Sequence, residues 1–379
     1  MPPPLPLELV QKVHDNLTRE VDLARWRRVA RVFLEPSRQR LYEAATLRLY
    51  SSFGGDDEHF YTADTLALLS TVVRNRSLGR LATSLSIEDG TGWVPWTEDS
   101  SGVQTSVTLA MKSALALFPK VRSISVMPLF EEACCRAILE VEGLDLDTLD
   151  LQRPEYEGWQ VLQHHTEVQH LRFSFADEWP MYDGLPTTPI RHLRLRSLSV
   201  KSVADDIARD FLANLTRSSI PSITRLDLPL DLDVIPYPSS FPNLRELDLR
   251  GRLKLPDLDR LLTILPSCSS LQTLGLQVDA TRETVERCCA AGPRGLAAHF
   301  APSLISLRLT ATLFSSSASF LPSDLITLLA APSPARLHTL FFANPPTNRS
   351  TKWPTNDDIE ALQQECMKRG IQLSDDCKW

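Results

Sequence analysis

Six-residue segments of the form L-x-x-L-x-L recur through most of this 379-residue chain, and this repeat constrains the fold more than any other feature. The central apolar residues of successive segments are 21–33 residues apart. A period of this length is typical of stacked units, each burying its apolar side against its neighbours. The nine segments, with apolar substitutes for leucine, are VRSISV (121–126), LDTLDL (146–151), VQHLRF (168–173), LRSLSV (195–200), ITRLDL (223–228), LRELDL (244–249), LQTLGL (271–276), LISLRL (304–309) and LHTLFF (337–342).

Each segment alternates leucine with other residues, which predicts a strand that buries one side. Between the segments, apolar residues recur at helical spacing, as Val203, Ile207, Phe211 and Leu215 do. A strand, a turn and a helix in every repeat form the leucine-rich-repeat unit. We therefore predict an α/β fold in which residues 51–379 form an irregular leucine-rich-repeat solenoid, with a parallel sheet on its concave face and helices outside.

Residues 88–107 follow neither period and are predicted to be an inserted loop. Its two tryptophans, Trp93 and Trp96, either fold back onto the chain or present an exposed contact. Both alternatives are compatible with the sequence.

Residues 355–379 are predicted to form a C-terminal cap of the solenoid. A last helix begins near Thr355 or Asn356, which are suitable N-cap residues, and ends at Gly370. A short final strand follows that glycine.

The first fifty residues predict three short helices. Leu9 and Val13 share one face of the first helix, and the third helix carries Tyr42 and Ala45. A unit of this size, residues 1–50, is close to the lower limit for an independent core. We therefore expect it to pack against a neighbour, either the rest of the chain or another protein.

The segments LPLELVQKVHDNL, DLARWRRVARVF and RLYEAATLRLY resemble the F-box. The stretch LLSTVVRNRSLGRLATSLSI and the later repeated segments resemble fungal F-box proteins with irregular leucine-rich repeats, and this resemblance covers nearly the whole chain. In that family the F-box binds a Skp-type adaptor, which recruits cullin and RING subunits of a ubiquitin ligase. This chain has Phe33 where many members have Trp, and Ala30 where many have Cys. The resemblance implies that the adaptor-binding residues are Leu5, Pro6, Leu9, Val13, Leu23, Val29 and Phe33.

Composition excludes several other classes of protein. The net charge of -7 argues against a nucleic-acid partner, because phosphate contacts need clustered lysine and arginine. No run of 18 apolar residues is present, so we expect no membrane span, and the N-terminus lacks the features of a signal peptide. Seven cysteines without a C-x-x-C pair suit a reducing compartment, which predicts a cytoplasmic or nuclear protein.

The sequence offers little support for catalysis. A group of three histidines and two pairs of adjacent cysteines are the main candidates for chemistry. They are His164, His165 and His170, and then Cys134-Cys135 and Cys288-Cys289. The histidines lack the partners of a metal site, and the cysteines lie on apolar helix faces where a thiol packs as a small hydrophobe. We predict no catalytic residue, no metal and no cofactor.

Two functions remain, and both depend on binding a protein. The chain is either the substrate-recognition subunit of a cullin–RING ubiquitin ligase, or a leucine-rich-repeat scaffold without a link to ubiquitin. In either case the residues between the strand leucines face away from the core and could hold a target, or they could simply be solvated. We expect charge reversal at two of them, Asp248 and Arg250, to abolish target capture with little change in stability. The candidate target-binding residues are Arg225, Asp227, Glu246, Asp248, Arg250, Thr273, Gln277, Ser306 and Arg308.

Overall fold

A computed structural model describes most of the chain between residues 42 and 374. The chain divides into two compact units, Met1–Val168 and Gln169–Trp379. The division between them falls within the predicted repeat region. The described residues are 42–49, 62–89, 101–127, 130–151, 156–173, 190, 192–201, 207–230, 240–311, 320–333, 335–343 and 355–374.

The described part of the first unit alternates strands with helices, and its four strands pair in parallel in chain order. Alternate strand residues are buried, as Ile124 and Val126 show beside the half-buried Ser123 and Ser125. The elements of this unit are β1 (Ala44–Leu49), α1 (Ala63–Arg74), α2 (Arg76–Gly79), β2 (Ser84–Asp89), α3 (Ser101–Leu115), β3 (Ser123–Val126), α4 (Glu131–Glu140), β4 (Thr148–Leu151) and α5 (Tyr156–His164).

The second unit has eight strands among its described residues, and they pair with one another in parallel in chain order. Its elements are β5 (His170–Phe173), β6 (Ser197–Val200), α6 (Ile207–Thr216), β7 (Arg225–Pro229), β8 (Glu246–Leu253), α7 (Leu255–Ile264), β9 (Thr273–Ala280), α8 (Arg282–Cys289), β10 (Ser306–Ala311), α9 (Pro322–Ala330), β11 (Thr339–Ala343), α10 (Asn356–Lys368) and β12 (Gln372–Leu373). Two short 3-10 helices, Leu265–Ser267 and Leu296–His299, precede β9 and β10.

The leucines of the repeated segments set the strand register. Leu247, Leu274 and Leu307 lie side by side on β8, β9 and β10, and none of the three is exposed. Burying a leucine side chain contributes about 1.5–3 kcal/mol, and a register slip of one residue would move every leucine to the opposite side. Helices outside the sheet contact the helices of adjacent repeats, such as α8 with α9. The predicted α/β fold with a parallel sheet is therefore confirmed.

The predicted third helix of the N-terminal segment is wrong at Ala45. Residues 44–49 form strand β1, in which Ala45, Leu47 and Leu49 are buried and whose whole length pairs with β2. Short apolar runs fit both a helix and a strand, and here pairing with the next repeat favours the strand. The other residues of the segment 1–50, apart from the helical Tyr42 and Glu43, lie outside the described residues.

The predicted loop at residues 88–107 is wrong at both ends. Residues 88 and 89 complete strand β2, and helix α3 begins at Ser101. Its apolar residues Val107, Met111 and Leu115 recur every four positions, a helical period that the sequence analysis overlooked. The residues between 90 and 100, with both tryptophans, lie outside the described residues.

The C-terminal helix and strand are present as predicted. Thr355 is the N-cap of α10, where its hydroxyl accepts a hydrogen bond from the Asp358 backbone N–H and its own N–H donates to the Asp358 carboxylate at 2.9 Å. This reciprocal pattern is a capping box. The helix ends before Gly370, whose φ of 68° is in the left-handed region that favours glycine.

Candidate functional site

The side of the second unit's sheet that faces away from the leucines carries most of the candidate binding residues, and we call the part formed by β7–β12 the polar face. Its central row crosses four strands in register, from Asp227 through Asp248 and Gly275 to Arg308, and continues to Phe341 on β11. Adjacent strands lie about 4.8 Å apart, so neighbouring side chains in this row can touch.

A pocket of about 500 Å³ lies on the polar face. This volume is within the range of sites that bind small molecules or short segments of another chain. Six of the nine predicted target-binding residues line the pocket: Arg225, Asp248, Arg250, Gln277, Ser306 and Arg308. The other three, Asp227, Glu246 and Thr273, lie on the same face but not in the pocket wall.

Asp227 is buried on what the sequence predicted to be an exposed face. Only 4% of its side chain is exposed, and one carboxylate oxygen accepts hydrogen bonds from the Ser199 hydroxyl at 2.9 Å and from the Arg250 guanidinium. Burial raises the pKa of Asp227, while the nearby Arg250 cation and the Ser199 hydrogen bond oppose part of that rise. The Asp227–Arg250 pair therefore belongs to the structural support of the polar face.

This pair overturns the expectation that Asp248 and Arg250 could be reversed with little change in stability. An acidic residue in place of Arg250 would face the buried Asp227 carboxylate. Leaving a buried charge without its partner typically costs 3–5 kcal/mol. The sequence analysis treated both residues as surface charges, because alternation alone does not reveal which members of a polar row are covered.

Four further charges form a looser cluster beside this pair, with two arginines around two carboxylates. The Arg225 guanidinium is 3.6 Å from the Glu246 carboxylate and 3.5 Å from that of Asp248. The Arg308 guanidinium is 4.0 Å and 3.9 Å from the same two groups. These separations allow Coulombic attraction but are too long for good hydrogen bonds. Both arginines thus keep most of their N–H donors for another partner.

Gly275 makes this arrangement possible. It occupies the central row on β9, between Asp248 and Arg308, and a β-carbon at this position would come within 1.9 Å of the Asp248 carboxylate. Because glycine has no side chain, the Asp248 carboxylate can lie over β9 and the Arg308 guanidinium can reach it.

Besides the strand leucines Leu249 and Leu276, the sequence analysis missed five pocket residues. Thr339 and Phe341 are the polar-face positions of the ninth repeated segment, and Thr310 follows Arg308 by one alternation, so the same period could have found them. Gly275 had no side chain to attract attention. Ser374 follows β12, a strand of two residues without a complete repeated segment.

The described cysteines lie in the core, as predicted for the two adjacent pairs. The six described cysteines are all buried, and burial raises the pKa of Cys268 to about 11. Burial also raises the pKa of Cys134, so its reactive thiolate is scarce at neutral pH. Of the histidines, His164 is exposed, and burial lowers the pKa of the half-buried His165. Their surroundings favour packing and solvation over chemistry.

Among the described residues, no group of three or more histidine, cysteine or acidic side chains is placed to hold a metal ion. No helix in those residues combines the length and the apolar character that crossing a membrane requires. The seven predicted adaptor-binding residues lie outside this part of the chain.

No protein-family model matches the sequence, and no curated protein matches it significantly.

Proposed function

We propose that this chain is the substrate-recognition subunit of a cullin–RING ubiquitin ligase of the SCF type and works in the cytoplasm or nucleus. The observation that carries the target-binding half of this proposal is the pocket on the polar face, where Arg225 and Arg308 keep unused hydrogen-bond donors. The adaptor-binding half is supported by the F-box-like segment LPLELVQKVHDNL at the N-terminus.

The proposed mechanism is a gain in effective concentration. The N-terminal segment binds the Skp-type adaptor, and the repeats hold the target, so that ubiquitin transfer by a separate enzyme becomes close to intramolecular. A tether of this kind can raise overall avidity by about 10²–10⁴ without a new contact. The chain itself contributes binding and positioning, and the chemistry belongs to the other subunits.

A leucine-rich-repeat scaffold without a link to ubiquitin is the alternative, and adaptor binding separates the two. The full chain is co-expressed with a Skp-type adaptor and analysed by size-exclusion chromatography. We expect a one-to-one complex. Leu9→Ala with Val13→Ala should weaken the complex at least about 700-fold, because buried apolar anchors of an interface contribute about 2 kcal/mol or more each.

The matched control removes a leucine and a valine from elsewhere in the chain. Leu66 and Val73 are 42% and 56% exposed on helix α1. The double substitution Leu66→Ala with Val73→Ala changes composition identically and should leave adaptor binding intact. If the wild-type chain fails to bind the adaptor, or if both double variants lose it equally, the ligase role is wrong and the scaffold alternative is favoured.

A further inference from the structure

The pocket wall exposes its arginines more than its carboxylate, Asp248, although Glu246 outside the wall is 40% exposed. The side chains of Arg225, Arg250 and Arg308 are 47%, 41% and 40% exposed. The side chains of Asp248 and Asp227 are only 14% and 4% exposed. Each of these carboxylates is covered more than the arginine that pairs with it. A ligand entering the pocket therefore meets arginine side chains before it meets these carboxylates.

Two of these arginines converge on one point. The guanidinium groups of Arg225 and Arg308 both lie within 4.0 Å of the Asp248 carboxylate, one on each side of it. Neither guanidinium donates a hydrogen bond to another described residue, whereas the Arg250 guanidinium is already bound to Asp227. A planar guanidinium presents five N–H donors in a geometry that matches a carboxylate. Arg225 and Arg308 are thus prepared to bind a further anion.

The pocket wall also contains one aromatic side chain. Phe341 is the neighbour of Arg308 on β11, and its ring is only half-buried on a face where the other side chains are polar. Thr310, Thr339 and Gln277 also line the pocket with groups that can bond to a peptide backbone. The pocket thus combines exposed arginines with one aromatic side chain.

We propose that this pocket binds an acidic peptide segment of the target protein. One aspartate or glutamate side chain accepts hydrogen bonds from the N–H donors of Arg225 and Arg308 that the Asp248 and Glu246 carboxylates leave unused, and an adjacent apolar side chain packs against Phe341. This inference rests on the proposed role of the second unit in target binding. It specifies a ligand with a carboxylate next to an apolar group. A basic partner is excluded, because its positive charges would be repelled by the exposed arginines.

The first test selects peptides with the full-length wild-type chain. A display library of random decapeptides is panned on the immobilised protein, and the bound sequences are read. We expect aspartate and glutamate to be enriched at one position, with leucine, isoleucine or phenylalanine beside it. Enrichment of lysine and arginine, or selection without acidic residues, would overturn the proposal.

The second test locates the binding site with matched variants. Fluorescence anisotropy measures the affinity of a selected acidic peptide for the wild-type chain and for Arg308→Gln, Arg225→Gln and the control Arg287→Gln. Arg287 pairs with the exposed Asp259 on the helical side of the same unit, so its variant makes the same charge change elsewhere. We expect each pocket variant to bind at least tenfold more weakly and the control to bind like wild type. A control that loses as much affinity would show general electrostatics instead of a site.

A double-mutant cycle separates a direct contact from a change in folding. The acidic residue of the peptide is replaced by its amide, and affinity is measured again. If Arg308 binds that carboxylate, Arg308→Gln should weaken binding of the amide peptide by less than about twofold. An equal loss for both peptides would refute the contact and indicate a damaged pocket.

Adaptor binding by the same preparations distinguishes failure of this inference from failure of the proposed function. A chain that binds the adaptor but selects no acidic peptide refutes the inference and leaves the ligase role intact. A chain that selects acidic peptides but does not bind the adaptor refutes the ligase role and leaves the chemistry of the pocket intact.

Discussion

Replacing Arg250 with glutamine should destabilise the second unit far more than the same change at Arg308. Arg250 is the cation that binds the buried Asp227 carboxylate, of which 4% is exposed. The Arg308 guanidinium is 3.9 Å from the partly exposed Asp248 carboxylate, and loose surface pairs of this kind contribute about 0–1 kcal/mol. The two variants make the same change in net charge on the same face.

The size of the Arg250→Gln effect is limited on both sides. A hydrogen bond to a charged group contributes about 1.5–3 kcal/mol, so Arg250→Gln should cost at least this much unfolding free energy. The upper limit on the ionic part comes from protonation, because Asp227 can take up a proton when its cation is removed. Protonating a carboxyl group of ordinary pKa, about 3.9, costs about 4 kcal/mol at pH 7 and about 1.5 kcal/mol at pH 5. We therefore expect a loss of about 2–4 kcal/mol at pH 7.

The pH dependence gives this prediction a signature. Burial raises the pKa of Asp227 in the folded chain, so the stability contributed by its protonated form is complete below the unfolded pKa and is lost as pH rises through the folded pKa. Without Arg250 that folded pKa rises further. The stability difference between Arg250→Gln and wild type should consequently shrink to about 1.5 kcal/mol or less at pH 5.

Urea denaturation at pH 7 and pH 5 measures the difference in unfolding free energy between wild type and Arg250→Gln. Because repeat proteins need not unfold in one step, hydrogen exchange of the β7 and β8 amides is measured as well. Removing both charges, as in Asp227→Asn with Arg250→Gln, should restore stability to within about 1 kcal/mol of wild type, because no uncompensated charge remains. The reasoning is refuted if Arg250→Gln costs no more than Arg308→Gln, or if its cost does not fall on acidification.

Three other predictions follow from the described contacts. Gly275→Ala should displace the Asp248 carboxylate and weaken capture of an acidic peptide. The free energy of unfolding should change by less than about 1 kcal/mol, because glycine itself weakens a strand by about 0.5–1 kcal/mol. A much larger loss of stability in urea denaturation would contradict this prediction. Thr355→Ala should cost about 1 kcal/mol by removing the N-cap of α10, measured by the same assay, and an unchanged stability would argue against the cap. In the native protein a thiol reagent should modify at most Cys377 and should leave the six buried cysteines unmodified until the chain unfolds. Mass spectrometry maps the modified residues. Rapid reaction at Cys134 or Cys288 would show that burial does not protect them.

The architecture of the repeats was predictable because their leucines carry two kinds of information. Alternation of leucine with other residues predicts each strand, and recurrence of the segment predicts the next strand of the sheet. Leu247, Leu274 and Leu307 occupy equivalent positions in their segments, and they pair in register. Strand β1 was missed because no complete L-x-x-L-x-L segment precedes it. The start of α3 was missed because its valine and methionine residues, spaced as in a helix, follow a run of polar residues. A short apolar run has the same pattern in a strand and in a buried helix until its pairing partner is known.

The candidate site was predictable in position but not in detail. Alternation placed Arg225, Asp248 and Arg308 on one face, and the structure brings all three to one pocket. It could not show that Asp227 is covered, because burial of a polar residue depends on the cross-strand partners Ser199 and Arg250. Nor could it show the role of an absent side chain at position 275, which becomes clear only from the register of three neighbouring strands.

Native mass spectrometry shows whether one chain binds an adaptor and a target at the same time. The full-length chain is mixed with the Skp-type adaptor and with an acidic peptide selected on the polar face. We expect a ternary complex of one chain, one adaptor and one peptide, from which Arg308→Gln removes only the peptide, and Leu9→Ala with Val13→Ala removes only the adaptor. Mutual exclusion of adaptor and peptide, or the absence of any adaptor-containing species, would contradict this expectation.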